Sequence, residues 1–371
     1  MKSNKWNSGI LLVFVALILV IIFVFIATIG ERKTSVPKVG VVMTGAAEDS
    51  GWNGMHYQGI KYACDELGAE LLLKENVLEG SGDCVQAIHE LAQEGAALII
   101  LTSYAYPIEV KDVIGDYPDI SFYAISAEYY AENMTSYFGR MYQARYLAGI
   151  VAGLQTETNQ IGYVAAMANA EVNRGINAFT LGARSVNPQA RIHVVWTEAW
   201  DNQEKEIQSA EVLIKEKQAD VITYHQNQHH VAKAADEAGV YSIGYNEAVE
   251  GLSDKYLTAA VWDWNALYYE IVKEYFQGRA NAVKRHWFGI DTGVIKLADF
   301  SSAIREEAVQ AVEEARQEIL SGKAVFSGKI LDNTGTLRCD DGENISDEIL
   351  LEKLDWYVDG VSIYEETIGN K

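Results

Sequence analysis

From residue 38 onward the chain alternates between two hydrophobic periods. Continuous aliphatic and β-branched runs at 38–43, 70–74, 98–102 and 121–125 read as buried strands. Apolar residues spaced three and four apart at 54–67 and 83–94 read as the amphipathic helices between them. A strand at 137–139 and a small-residue helix at 143–154 extend this series. A second one then begins: strand 160–164, helix 173–186, strand 191–196, helix 203–217, strand 221–224, helix 231–238 and strand 241–244. Repeated βαβ units call for parallel sheets covered by helices on both faces, so the fold class is α/β with two similar lobes in tandem.

A further strand at 256–261 and helix at 264–277 are expected to return to the first lobe, because the second series already makes a full sheet. Crossings of this kind form a hinge. The resulting division gives 36–154 with about 258–285 to the first lobe and 155–257 with about 286–330 to the second. Asp332-Asn333-Thr334-Gly335 is a turn signal, so 331–371 is read as a hairpin followed by a short helix at 346–354.

Six of the strands lead into aromatic, amide or imidazole side chains. Trp52 follows the first, Tyr104 and Tyr106 follow 98–102, and Trp200 follows 191–196. His225 and Gln226 follow 221–224, Tyr245 and Asn246 follow 241–244, and Trp262 follows 256–261. Ligands of open α/β sheets bind beyond the carboxyl ends of the strands, so this set predicts a pocket for a flat polar molecule.

One segment lies outside this pattern. Residues 10–29 are uncharged and apolar, and at 1.5 Å per residue they reach roughly 30 Å, the thickness of a bilayer core. Residues 1–35 therefore read as a short cytoplasmic stub and an uncleaved transmembrane signal anchor, since neither an A-x-A site nor a lipid-accepting cysteine follows. The flanking lysines and arginines are nearly balanced and leave the side open.

The net charge of −22 disfavours nucleic acid as a partner. The three cysteines make no framework: Cys64 and Cys84 fall on apolar helix faces and Cys339 stands alone. Right-handed crossovers stepping in opposite directions from the first strand would put Cys64 and Cys84 on opposite faces of the sheet. No motif for a nucleophile, a zinc site or a dinucleotide loop is present, and neither enzyme activity nor a cofactor is expected. His225, His229 and His230 read as cap or ligand-bonding groups rather than a metal site.

Three stretches carry a resemblance. They are Asp49-Ser50-Gly51-Trp52-Asn53, then Tyr142-Gln143-Ala144-Arg145-Tyr146-Leu147-Ala148-Gly149, then Ile161-Gly162-Tyr163 running into Glu171-Val172-Asn173-Arg174-Gly175-Ile176-Asn177-Ala178-Phe179. In this order and spacing the chain resembles the basic membrane protein family of ABC-transporter substrate-binding proteins, which includes purine nucleoside receptors. The resemblance implies a type I periplasmic-binding-protein fold with the large domain outside the cell, handing a purine-type ligand to an ABC permease and its ATPase. The protein is expected to act as a monomer, with the N-terminal helix in place of a lipid.

In the nucleoside receptors two aromatic rings sandwich the purine, and the matching positions here are Trp52 and Trp200. Asn53, Asn76, Glu171, His225 and Gln226 are candidates for the base edge, with Tyr104 on the rim. Where those receptors hold ribose with an acid and a lysine, this chain offers Asn246 and Trp262, which points to a free nucleobase, as in the adenine-binding branch. Glu171 reads equally as a helix cap. Trp264 is expected to pack in the hinge and Trp196 in the core, and arginines at 140, 145 and 174 are expected to pair with carboxylates. A membrane-anchored sensor using the same lobes is the competing reading.

Overall fold

The computed structural model describes residues 36–49, 51–127 and 131–364. The expected anchor at 10–29 lies outside the described residues; among those described, no helix is long and apolar enough to cross a membrane.

The first lobe is built from β1 (Lys38–Val42), α1 (Trp52–Leu67), β2 (Glu70–Lys74), α2 (Asp83–Gln93), β3 (Leu98–Leu101), α3 (Tyr106–Val110), β4 (Ser121–Ile125) and β5 (Met134–Gly139). The second holds α4 (Met141–Gln155), β6 (Gln160–Ala165), α5 (Ala170–Val186), β7 (Arg191–Trp196), α6 (Gln203–Glu216), β8 (Val221–His225), α7 (His230–Glu237), β9 (Tyr241–Asn246) and β10 (Tyr256–Trp262). The chain then adds α8 (Trp264–Phe276) and β11 (Arg285–Phe288) to the first lobe and β12 (Ile295–Leu297) and α9 (Glu306–Leu320) to the second. A hairpin of β13 (Ile330–Leu331) and β14 (Leu337–Cys339), the short α10 (Asp347–Glu352) and β15 (Val361–Ile363) complete the described chain.

The first sheet runs β11-β5-β4-β3-β1-β2 and is parallel throughout. The second runs β12-β10-β9-β8-β6-β7-β15, with only β12 antiparallel. Because β2 and β3 flank β1, the crossover helices fall on opposite faces. Cys64 accordingly joins one apolar cluster and Cys84 another, and both are free thiols.

Two lobe assignments differ from the sequence reading. The strand expected to return to the first lobe, β10, pairs with β9 (Ala259 opposite Gly244) and stays in the second sheet; the crossing comes one element later, at α8, which packs on α1. Helix α4 belongs with the second lobe, because it lies against α5 at very short range. A Cβ on Gly149 would stand 2.8 Å from the Phe179 carbonyl carbon, and one on Gly182 would stand 2.8 Å from that of Tyr146. The period of α4 marks it as a helix but not which sheet it covers. Short β11, β12 and β15, and all of α9, were not anticipated.

The chain therefore crosses between lobes three times, at 139–141, 262–264 and 288–295. These crossings touch: a Cβ on Gly139 would fall 2.6 Å from both Trp262 Cη2 and Ile295 Cδ1. Backbone bonds tie them further, from Arg140 N to Phe288 O (2.6 Å) and from Asp263 N to Val294 O (2.7 Å). Helix α10 straps the hinge from outside. Asp347 makes a bidentate pair with Arg140 (2.9 and 2.6 Å), Glu352 meets Arg285 of β11 at 3.0 Å, and Leu350 O accepts from Arg174 of α5 at 2.6 Å.

Candidate functional site

The wall of the first lobe is organised by the loop after β1. Asp49 Oδ1 accepts from the backbone of Gly51 (3.0 Å) and Gly54 (2.7 Å), which starts α1 in place of a side-chain cap at Gly51. Asn53 is consumed by this loop: its Oδ1 accepts from Thr44 Oγ1 and Gly45 N, both at 3.1 Å, and its Nδ2 donates to Asp49 at 2.8 Å. Its place is beside the site, as a brace for Trp52.

Trp52 is half-buried, with its indole N–H donating to Thr102 O at 3.0 Å. Its ring stands edge-on to His56 (4.2 Å) and Trp264 (5.5 Å). His56 is wholly buried between them, bonded through Nδ1 to the Tyr268 hydroxyl, and burial holds its pKa down at about 3. The sequence reading missed His56, although its position one helical turn after Trp52 places both on one face.

On the second lobe Trp200 lies in the loop between β7 and α6, 37% exposed, its ring edge-on to His225 at 5.9 Å. Gln226 pins this loop. Its amide lies 2.8 Å from Thr197 Oγ1 and, in the orientation that satisfies both ends, donates to the carbonyls of Ala199 (2.9 Å) and Trp200 (3.2 Å). Gln226, like Asn53, thus supports a tryptophan.

His225 closes β8, 2% exposed, packed on Tyr245 with centroids 4.1 Å apart. Both ring nitrogens lack a hydrogen-bond partner, and Glu171 Oε1 stands 3.8 Å from Nε2. Burial lowers the imidazole pKa to about 4 against the opposing pull of that carboxylate, so the ring is neutral at pH 7. Glu171 is not the cap of α5: Asn169 is, accepting from Val172 N at 3.0 Å.

Of the three arginines, only Arg140 pairs with a carboxylate. Arg145 is buried and donates to Thr223 Oγ1 (3.2 Å) and Tyr224 O (2.6 Å), with its guanidinium 4.3 Å over the Tyr245 ring. Arg174 instead meets the Leu350 carbonyl, so the expected ion pairs are replaced by backbone oxygens at these two positions. The second-lobe wall is consequently richer in buried donors than an acidic chain suggests.

Between the lobes, Asn246 sits at φ 76°, a left-handed conformation that asparagine tolerates better than most residues. Its Nδ2 reaches Met55 Sδ on α1 at 3.7 Å, and its buried Oδ1 has no partner. Trp262 stacks on Trp264 (4.6 Å, 11°), and both line an open cavity of about 500 Å³ with Asn246, Met55, Asp49 and Ala47. Each residue at the expected ribose position is followed by an acid already engaged: Glu247 with His229 (2.8 Å), Asp263 with Lys296 (2.8 Å) and Ala266 N (3.0 Å).

The predicted residues thus fall into three groups. Trp52 and Asn53 meet on the first lobe; Glu171, Trp200, His225 and Gln226 meet on the second; Asn246 and Trp262 meet at the hinge cavity, with Trp264 linking them to Trp52. Asn76 is exposed at φ 55°, its N–H bonded to Gly45 O, and Tyr104 is 50% exposed after β3. Tyr106 faces the core, its hydroxyl donating to Val77 O at 2.6 Å. Trp264 is buried in the hinge, and Trp196 packs partly buried at the end of β7. Among the described residues no group of three possible metal ligands occurs.

The sequence model of the family described as ABC transporter substrate-binding protein PnrA-like matches residues 36–328. A purine-binding protein of Brucella abortus is 32% identical over 328 residues, spanning 87% of this chain and 92% of that protein. A putative ABC transporter glucose-binding protein of Haloferax volcanii is 34% identical over 315 residues, 84% of this chain and 77% of that protein. Among solved structures, a transcriptional activator of the comK gene from Bacillus halodurans superposes with a TM-score of 0.69 at 25% identity, covering 77% of this chain and 99% of the other.

Proposed function

The chain belongs to the PnrA-like family of ABC-transporter substrate-binding proteins, and on that premise we propose that it binds a purine nucleobase, or a close heteroaromatic relative, between its lobes outside the cell and delivers it to an ABC permease. The observation that carries the reading is the pair of tryptophans at carboxyl ends of strands on opposite lobes. Trp52 is held by Thr102 and its loop; the loop of Trp200 is held by Gln226, and its side chain is 37% exposed. Two indoles from separate bodies suit a flat ring gripped from both sides, and the two contribute together only when the lobes approach.

The three crossings supply the hinge for such closure, and ligand spanning both lobes favours the closed population by its differential affinity. Asn246 and Trp262 stand where a charged ribose clamp is expected, and the neighbouring acids are occupied by Lys296, His229 and a helix N-terminus. This supports a free base over a nucleoside. The Haloferax relative favours a second reading, a sugar stacked on the same indoles.

A thermal-shift and calorimetric screen of residues 36–371 against nucleobases, nucleosides and hexoses separates these, since a ligand bound only by the folded state raises its melting temperature. Stabilisation by free purines supports the proposal. A response to hexoses with none to purines overturns it, and ligand binding without ligand import in cells replaces transport with sensing.

A further inference from the structure

The segment that follows the β13–β14 hairpin is fastened to the two lobes in different ways. All of it lies beyond residues 36–328, the stretch matched by the family's sequence model. On the second lobe its hold is buried. Asn173 of α5 donates to Leu354 O (2.9 Å) and accepts from the Tyr357 hydroxyl (3.0 Å), and Asn177 bonds Trp356 O and Val358 N at 2.8 and 3.0 Å. Leu350, Leu354, Trp356 and Val358 are buried, and β15 then extends the second sheet beside β7.

Its hold on the first lobe is ionic and open to solvent. Glu352 meets Arg285 of β11 at 3.0 Å, the two side chains 35% and 27% exposed. Asp347, 56% exposed, pairs with Arg140, whose backbone N–H and Nε donate to Phe288 O (2.6 Å) and Trp287 O (3.2 Å) at the end of β11. Helix α10 thus reaches from the second lobe to the edge strand of the first, across the outer side of the three crossings. On the cleft side the lobes touch in the same conformation. Asn246 Nδ2 lies 3.7 Å from Met55 Sδ, and a Cβ on Gly51 would lie 3.9 Å from Gln228 Nε2.

Hinge motion works against this grip. Arg285 opens the four-residue β11 and Phe288 ends it at the third crossing. That span is about 10 Å, so a lobe rotation of about 20° about the crossings carries Arg285 about 3.5 Å. Glu352 is kept from following, because Leu350 O and Leu354 O are bonded to Arg174 and Asn173 of α5. We infer that α10 is a latch on the hinge: it stays with the second lobe, grips the first through Arg285 and Arg140, and favours the conformation in which the lobes touch at the cleft. Exposed ion pairs are individually weak and are screened by salt, so the latch biases the lobes without locking them and makes their separation sensitive to ionic strength.

The test measures inter-lobe distances by pulsed electron paramagnetic resonance in the full chain, with spin labels at Glu66→Cys on α1 and Gln208→Cys on α6. Both positions are exposed, and the three native cysteines are buried. Asp347→Asn with Glu352→Gln removes both charges and leaves the second-lobe anchors in place. The ratio of separated to touching lobes is expected to rise about two- to tenfold, the range for two exposed pairs. Raising salt from about 0.05 to about 0.5 M should raise it likewise in wild type and leave the double variant nearly unmoved. Identical distance distributions in wild type and double variant, or an equal salt response in both, overturn the latch. A titration with adenine adds an arm that rests on the purine reading: affinity should weaken in the double variant in proportion to the lost touching population. Absence of adenine binding overturns that reading alone, since the distances judge the latch without ligand.

Discussion

Gly139→Ala tests whether the contact of the three crossings governs the molecule. The backbone of Gly139 ends a regular strand and is absent from the positive-φ positions, so alanine costs nothing in conformation there. The cost is steric. The new methyl would fall 2.6 Å from Trp262 Cη2 and 2.6 Å from Ile295 Cδ1, with Trp262 Cζ3 closer still. Trp262 cannot retreat freely, because it is stacked on Trp264 at 4.6 Å and set edge-on to Phe138 at 5.2 Å. Overpacking of a close-packed site costs about 1–3 kcal/mol, and the upper half of that range is expected where two rigid neighbours are met at once. Urea denaturation of wild type, Gly139→Ala, Trp262→Leu and the double variant gives the coupling. Since leucine removes the obstructing ring, the double variant should be at least about 1 kcal/mol more stable than the sum of the single changes implies. Additivity to within about 0.5 kcal/mol would refute the reasoning.

Other consequences follow from the same geometry. Trp200→Ala should weaken ligand binding by about 1–3 kcal/mol with little change in the unliganded melting temperature, because the side chain is 37% exposed. Trp52→Ala should weaken binding similarly but also lower stability, since it packs on His56 and Trp264; a titration and a melt distinguish the two. Stability should fall with acidification below about pH 6.5, where unfolded imidazoles take up protons that His56 and His225, held at about 3 and 4, refuse in the folded state. Each contributes a slope of about 1.4 kcal/mol per pH unit until its folded pKa is reached, so His225→Phe should flatten the stability profile between pH 6 and 4, a window set by those shifts. Asn177→Ala should cost about 1–3 kcal/mol, because Asn177 both donates to Trp356 O (2.8 Å) and accepts from Val358 N (3.0 Å) in a buried setting. Limited proteolysis should then cut the tail beyond α10 sooner than in wild type.

The hydrophobic pattern determined much of this by itself. Strands β4 and β7 begin and end where their apolar runs do, and α1, α6 and α8 agree to within two residues, because alternation and helical period are local properties of a chain. The strand ends also marked Trp52, Trp200 and His225 as candidates, since in such a fold ligands bind beyond the carboxyl ends of the strands, although Tyr106 after β3 turned into the core. Partnership was not local. That β10 stays beside β9, that α4 lies on α5 through glycines, and that β15 returns to β7 depend on which surfaces fit, and no period encodes that. The same distinction divides the site. Asn53 and Gln226 carry groups suited to a base edge, yet hydrogen bonds to Gly45, Asp49 and the Trp200 loop had already consumed them. His225, of equal promise in sequence, kept both nitrogens without a hydrogen-bond partner; the turn of α5 beside its Nδ1 is a glycine, which brings no side chain there. Composition offers candidate groups; tertiary packing decides which of them remain unsatisfied.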